Sequence, residues 1–267
     1  GGIIMRGGTG ESTTTKDGGN GGHISIIGGA AMGGMVTKDI GGKVVLDGGA
    51  SSTSTGGNVQ IRSGHGALKS SGDIDVSTSN SGSEGVSGSV SIKTGASANG
   101  GSGDISMSTG EASIGSSGTF TLSGGLAKTD SGGSISVEGG SSSIKTGGSI
   151  FISTGYGVDT SSGEINIRTS NGGKEGVSGG VLVSTGDTKE GSTGNVLLTT
   201  GDAIGGRSGG ILVHPGIGDQ GPGSDTFVES GRTSGSSPND YSGSVYIRSG
   251  AGVATSSGSV HVGSGNA

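Results

Sequence analysis

The feature that most restricts the fold of this chain is a short apolar motif repeated along its whole length. In residues 88–95 the motif reads Gly-Ser-Val-Ser-Ile-Lys-Thr-Gly, with one polar residue between two aliphatic residues. The first aliphatic position recurs about 17 times, mostly at steps of 15 residues and twice at a step of 16. A fixed period that continues through a chain is typical of solenoids and other repeat arrays.

Each repeated unit is predicted to form a β-strand. Alternation of apolar and polar residues places Val90 and Ile92 on the same face of an extended chain. Most of the aliphatic residues are β-branched, which suits a pleated sheet, and the flanking glycines favour sharp corners. Glycine occupies 68 of the 267 positions, which disfavours long helices.

The expected fold is an all-β β-solenoid, a parallel β-roll or β-helix of about 17 tandem units of about 15 residues. One, two or three units per coil fit the period, and one unit per coil is favoured. Thr94 and Thr109 would then lie in one hydroxyl column. The first aliphatic residues would stack as a core ladder, formed by Val44, Val59, Ile74, Val90, Ile105, Phe120, Ile135, Ile150, Ile165, Val181, Val196, Ile211, Val245 and Val260.

A longer period lies above the first. Residues 64–72 resemble residues 155–163, and residues 79–86 return as residues 170–177, in both cases 91 residues later. The sequence therefore has a super-repeat of six units. Duplication alone explains it, and this interpretation is favoured over a structural one in which six units complete whole turns.

The domain prediction is a single continuous solenoid over residues 1–267. Irregular units with longer loops occupy 1–58, regular units 59–223, a proline-containing insert 214–241 and regular terminal units 242–267. Only 26% of the residues are hydrophobic and 2% aromatic, which argues against a deep globular core. Gly and Ser at this level also suit a flexible linker, but a linker needs no regular aliphatic spacing.

Charge and composition exclude several classes of protein. The net charge is −6 and aromatic residues are scarce, so no nucleic-acid partner is expected. No apolar run is long enough to span a membrane, and none of the residues is Cys. Because the sequence begins at Gly1 rather than Met, it is expected to be a processed product or part of a longer array.

No arrangement of residues predicts catalysis, so no enzyme activity and no cofactor are expected. The four histidines occupy dissimilar positions in their units and are interpreted as surface residues: His23, His65, His214 and His261. Calcium is the one ion kept as an alternative, at the corner residues Asp73, Asp104, Asp187 and Asp202. The Gly-Gly-x-Gly-x-Asp repeat of calcium-binding β-rolls is absent from the sequence.

One set of outward positions is apolar in the later units. Contiguous exposed apolar patches usually mark contacts, although scattered surface residues are an equal alternative. The set predicts a lateral interface, called the lateral stripe below, which consists of Phe151, Leu182, Leu197, Leu212, Phe227 and Tyr246.

Units such as Gly-Asp-Ile-Ser-Met-Ser-Thr-Gly at 103–110 resemble the Gly/Ser-rich arrays of large secreted repeat proteins of diatoms and other algae. A weaker resemblance is to the ice-binding β-rolls of grasses, which keep a flat face of regular Thr, Ser or Val. Here Arg62, Lys93 and Glu138 occupy outward positions instead. The first resemblance implies an extracellular location and a structural or adhesive role.

The predicted function is therefore a structural subunit of an extracellular fibre, sheath or adhesive. Its expected partners are copies of itself in a homo-oligomer or filament, joined through ladder ends and lateral faces. The alternative is a β-solenoid that binds ice or polysaccharide.

Overall fold

The computed structural model describes residues 2–12, 18–35 and 37–265. No residue in these ranges belongs to an α-helix or a β-strand; turns and bends separate stretches without regular structure. The chain divides into two units, Gly1–Ile135 and Ser136–Ala267. The predicted all-β β-solenoid is therefore wrong, and the fold is rich in coil. The predicted domain boundaries stay a prediction.

Backbone hydrogen bonds close loops instead of joining strands. In nine loops of the described ranges, the N–H of the glycine before an aliphatic segment donates to a carbonyl oxygen near the end of the preceding segment. Gly57 donates to Gly49 O at 2.8 Å, and Gly148 donates to Gly140 O at 2.7 Å. We call this closure the neck of the loop. A solenoid with one unit per coil would instead pair residues about 15 positions apart.

The aliphatic segments make no backbone–backbone hydrogen bonds within the described ranges. Besides the necks, the remaining bonds of this kind lie inside loops: Lys38 and Asp39 N–H donate to Met35 O, and Asp240 N–H donates to Ser237 O. A β-strand is defined by its ladder to a neighbour. The segments alternate in sequence as strands do, but they have no partner, which is the physical reason for the wrong prediction.

Whether the neck hydrogen bond forms correlates with the type of one residue. This residue, called the neck residue below, immediately precedes the one whose carbonyl oxygen accepts the bond. Where this residue is glycine, the hydrogen bond measures 2.7–3.0 Å, at Gly7, Gly28, Gly48, Gly124 and Gly139. Where it is serine, the distance is 2.9–3.0 Å, at Ser63, Ser230 and Ser249. One threonine neck, at Thr154, closes at 3.1 Å. The other described threonine necks lack the bond, at Thr78, Thr94, Thr109, Thr169, Thr185 and Thr200.

The threonine side chain occupies the space inside these open necks. The Cγ2 methyl of Thr78 lies 3.3 Å from the point where Gly88 would carry a Cβ. The corresponding distance from Thr94 to Gly103 is 3.8 Å. A branched Cβ therefore packs against glycine across the neck, where a smaller residue allows the two backbones to meet. Thr94 thus packs across its own neck, and the hydroxyl column predicted for it depended on the solenoid.

Some loops without a neck bond contain a glycine in the left-handed region. Four glycines in the described ranges have φ between 74° and 98°, and all lie in loops of this class: Gly115, Gly191, Gly205 and Gly221. This left-handed region is open to glycine and costly for other residues. The array therefore contains two kinds of loop, one closed by a backbone bond and one without that bond.

No hydrophobic side chain is buried in the part of the chain that the structure describes. The chain exposes 26855 Å² of surface for a mass of 25.0 kDa. A globular monomer of this mass exposes about 10,000 Å². The fold therefore lacks the internal core that the solenoid prediction required.

Candidate interaction surface

The residues predicted as the core ladder are exposed. Their side chains retain 49–64% of their accessible surface, with the lowest value at Val59 and Val245. All fourteen lie at the first aliphatic position of a segment, as expected, but none is buried. What they offer is an apolar group at regular intervals along the chain.

The lateral stripe is more exposed than the predicted core ladder. Its six side chains retain 77–91% of their accessible surface, and all six belong to the unit Ser136–Ala267. Tyr246 is the least exposed of the six, and the guanidinium carbon of Arg248 lies 5.7 Å from the centre of its ring. This is cation–π distance, so the stripe ends at a cation held over an aromatic face. Its role as an interface stays a prediction.

The loops carry further apolar side chains that the sequence analysis did not single out. Each of these residues exposes at least nine-tenths of its accessible area: Leu68, Val86, Ile114, Leu126, Ile144, Val177, Ile204 and Val253. The available signal was a single aliphatic residue in a Gly/Ser linker, which the period-two pattern does not detect. Apolar groups are therefore accessible on both the segments and the loops.

The charged residues do not form a metal centre in the described ranges. No group of three or more His, Asp or Glu side chains there is placed to hold a metal ion. Asp73, Asp104, Asp187 and Asp202 are all exposed. Calcium binding at these corners stays an alternative prediction.

The described residues include no helix that is long and apolar enough to cross a membrane. Comparison with protein families, with curated proteins and with solved structures finds no match. Functional inference therefore rests on the exposed apolar surface and on the repeat itself.

Proposed function

We propose that the chain is a structural subunit of an extracellular fibre, sheath or adhesive, and that it associates with copies of itself through its aliphatic segments and the lateral stripe. The observation that carries this proposal is the exposure of apolar side chains in nearly every unit. The extracellular setting rests on the resemblance of the units to algal secreted arrays. Because no residue in the described ranges belongs to a β-strand, the proposal uses no β-ladder.

The amount of exposed surface supports association. The chain exposes more than twice the area of a globular protein of its mass. Burial of apolar surface contributes about 25 cal/mol per Å², and a standard interface buries about 800 Å² per partner. Such an interface would use only a small part of the 26855 Å² available. One chain could therefore contact several neighbours.

A second copy of this chain is the partner that the 15-residue repeat favours. Apolar segments recur at steps of mostly 15 residues, so a partner with the same step can cover many of them at once. Each contact is weak alone, but linked contacts add in avidity. A partner without this period would meet one or two segments and leave the rest exposed.

Sedimentation of the purified chain over a range of concentrations tests the proposal. We expect association that rises with concentration and fibres or sheets in electron micrographs. Replacing the lateral stripe by serine (Phe151, Leu182, Leu197, Leu212, Phe227 and Tyr246, each →Ser) should raise the concentration needed for association at least tenfold.

The matched control replaces six loop residues that are more exposed than those of the stripe: Val86, Ile114, Ile144, Val177, Ile204 and Val253, each →Ser. This variant should associate like the unmodified chain. Equal loss in both variants would indicate nonspecific hydrophobic aggregation and contradict the stripe as the interface. Monomers at all concentrations would contradict the structural role, and thermal hysteresis of those monomers would favour the ice-binding alternative.

A further inference from the structure

A polar depression in the unit Ser136–Ala267 has chemistry that the structural role does not use. It is an open cavity of about 260 Å³, lined by the consecutive residues Arg168, Thr169, Ser170 and Asn171. Pockets that hold drug-sized ligands measure about 300–1,000 Å³. The depression is therefore of a size for a smaller group, such as one sugar unit.

The lining groups are hydrogen-bond donors without partners. In the described ranges, no hydrogen bond or ion pair engages the side chains of Arg168, Thr169, Ser170 or Asn171. A guanidinium offers five N–H donors in a fork that matches the two oxygens of a carboxylate or sulfate. Two hydroxyls and a carboxamide beside it can donate to, or accept from, sugar hydroxyls.

The loop that follows this depression differs from most others in the array. Thr169 holds its neck open, so no neck bond links the two ends of the loop. Ser170 replaces the glycine usual after the neck residue, a change shared only with Ser79 in the earlier block. A Cβ on Gly172 would lie 2.9 Å from Gly176 O, so the loop folds tightly on itself. The side chains of Ser170 and Asn171 are exposed.

We propose that Arg168, Thr169, Ser170 and Asn171 form a binding site for the anionic group of an acidic polysaccharide. The group is a carboxylate or a sulfate ester, held by the guanidinium and the adjacent hydroxyls. The net charge of −6 repels a polyanion from the chain as a whole, so binding depends on this local site. In an assembly of many copies, weak sites of this kind would add in avidity.

The duplicated block provides a natural comparison. Residues 77–80 read Ser-Thr-Ser-Asn, which matches residues 168–171 except that Ser77 stands in place of Arg168. Arg168→Ser therefore installs a residue that the array already tolerates. In the same comparison, Lys174 corresponds to Ser83. Lys174→Ser therefore removes one positive charge, as Arg168→Ser does, but leaves the four residues that line the depression unchanged.

Saturation-transfer NMR on the full chain tests the site with galacturonate and glucose 6-sulfate as probes. We expect saturable transfer to one or both, and little transfer to neutral galactose. Arg168→Ser should raise the Kd at least tenfold, whereas Lys174→Ser should change it less than twofold.

Three results would overturn the proposal. Absence of saturable transfer to either acidic sugar would remove the site. An equal effect of Arg168→Ser and Lys174→Ser would indicate general charge attraction. Acetate or inorganic sulfate could displace the bound sugar at the same concentration as an excess of the acidic sugar does. That result would indicate a simple anion site and would contradict a polysaccharide ligand.

Discussion

At the scale of single residues, the position that enters each neck has the clearest physical effect. Where this residue is glycine or serine, a backbone hydrogen bond closes the neck. Where it is threonine, the bond is absent in all but one described case. The exception, Thr154, has the longest neck bond, at 3.1 Å. Because the neck leaves little space, the number of substituents on one Cβ separates the two classes of loop.

Gly139→Thr should open a neck that is now closed. Gly148 N–H donates to Gly140 O at 2.7 Å. Any Cβ at position 139 requires the two backbones to move slightly apart, as at the serine necks, where the bond measures 2.9–3.0 Å; the additional Cγ2 methyl of threonine would fill the space between them, as the methyl of Thr78 does beside Gly88. Loss of a hydrogen bond worth about 1 kcal/mol should speed hydrogen exchange of the Gly148 amide about fivefold. NMR of the exchanging amide measures this change.

Gly139→Ser is the control for this substitution, because serine occupies the neck at Ser63, Ser230 and Ser249 without loss of the bond. Its Gly148 amide should exchange within twofold of the unmodified rate. An unchanged rate in Gly139→Thr, or an equal increase in both variants, would show that the Cβ branch does not control the neck.

At the scale of the structural element, the backbone–backbone hydrogen bonds of the described residues lie in or across the loops, and the aliphatic segment connects one loop to the next. The loop 201–209 has no neck bond and includes Gly205 at a φ of 75°. Its shape therefore depends on one left-handed residue rather than on a backbone bond across its ends. The next residue, Gly206, has no such angle and, like Gly205, has open space around its Cβ position.

Gly205→Ala should therefore disturb the loop, and Gly206→Ala should not. An L-residue in the left-handed region costs about 1–2 kcal/mol, which is enough to shift the loop to other conformations. We expect amide chemical shifts to change across 201–209 in Gly205→Ala and only beside the substitution in Gly206→Ala. Equally local changes in both variants would show that this angle does not determine the loop.

The sequence predicted where segments and loops lie, but it did not predict what each segment pairs with. The aliphatic pair represented by Val90 and Ile92 would recur at the same step in both folds, the solenoid in which equivalent residues stack and the array in which each loop closes on itself. The period therefore cannot separate these folds. A usable signal did exist, since the five glycine necks carry Gly-Gly at both loop ends, as in 48–49 and 56–57. Such pairs favour close approach of two backbones across a loop.

The candidate sites differ in how far the sequence could predict them. The residues of the lateral stripe were found from alternation alone, and the structure describes all six as exposed. The depression at Arg168 was missed, because a single arginine in a Gly/Ser-rich chain carries no motif. Its four lining residues are a run of consecutive polar residues, and nothing in their types separates them from the other polar runs of the array.

At the scale of the whole molecule, the fold gives little internal reason for stability. No hydrophobic side chain in the described part of the chain is buried, and the chain exposes 26855 Å². Hydrophobic burial is normally the largest favourable contribution to folding; under the proposed self-association it would come from contacts with other copies of the chain. Association and ordering of the segments are therefore expected to be coupled, as in other chains that order on binding.

Cooling should dissolve the assembly, because hydrophobic association is driven by entropy near 25 °C and weakens at lower temperature. We expect sedimentation to show a larger monomer fraction at 4 °C than at 25 °C, reversibly. Sodium chloride should not reverse association, since it screens the repulsion between chains that each carry a net charge of −6. Ammonium sulfate should strengthen association at both temperatures.

The variant with serine in the lateral stripe separates this explanation from charge pairing. If the stripe supplies the buried apolar surface, the variant should remain largely monomeric at both temperatures and respond weakly to cooling. Dissolution by sodium chloride at constant temperature would instead show that ion pairs join the copies. Apolar contacts would then be incidental, and the exposed segments would need another explanation.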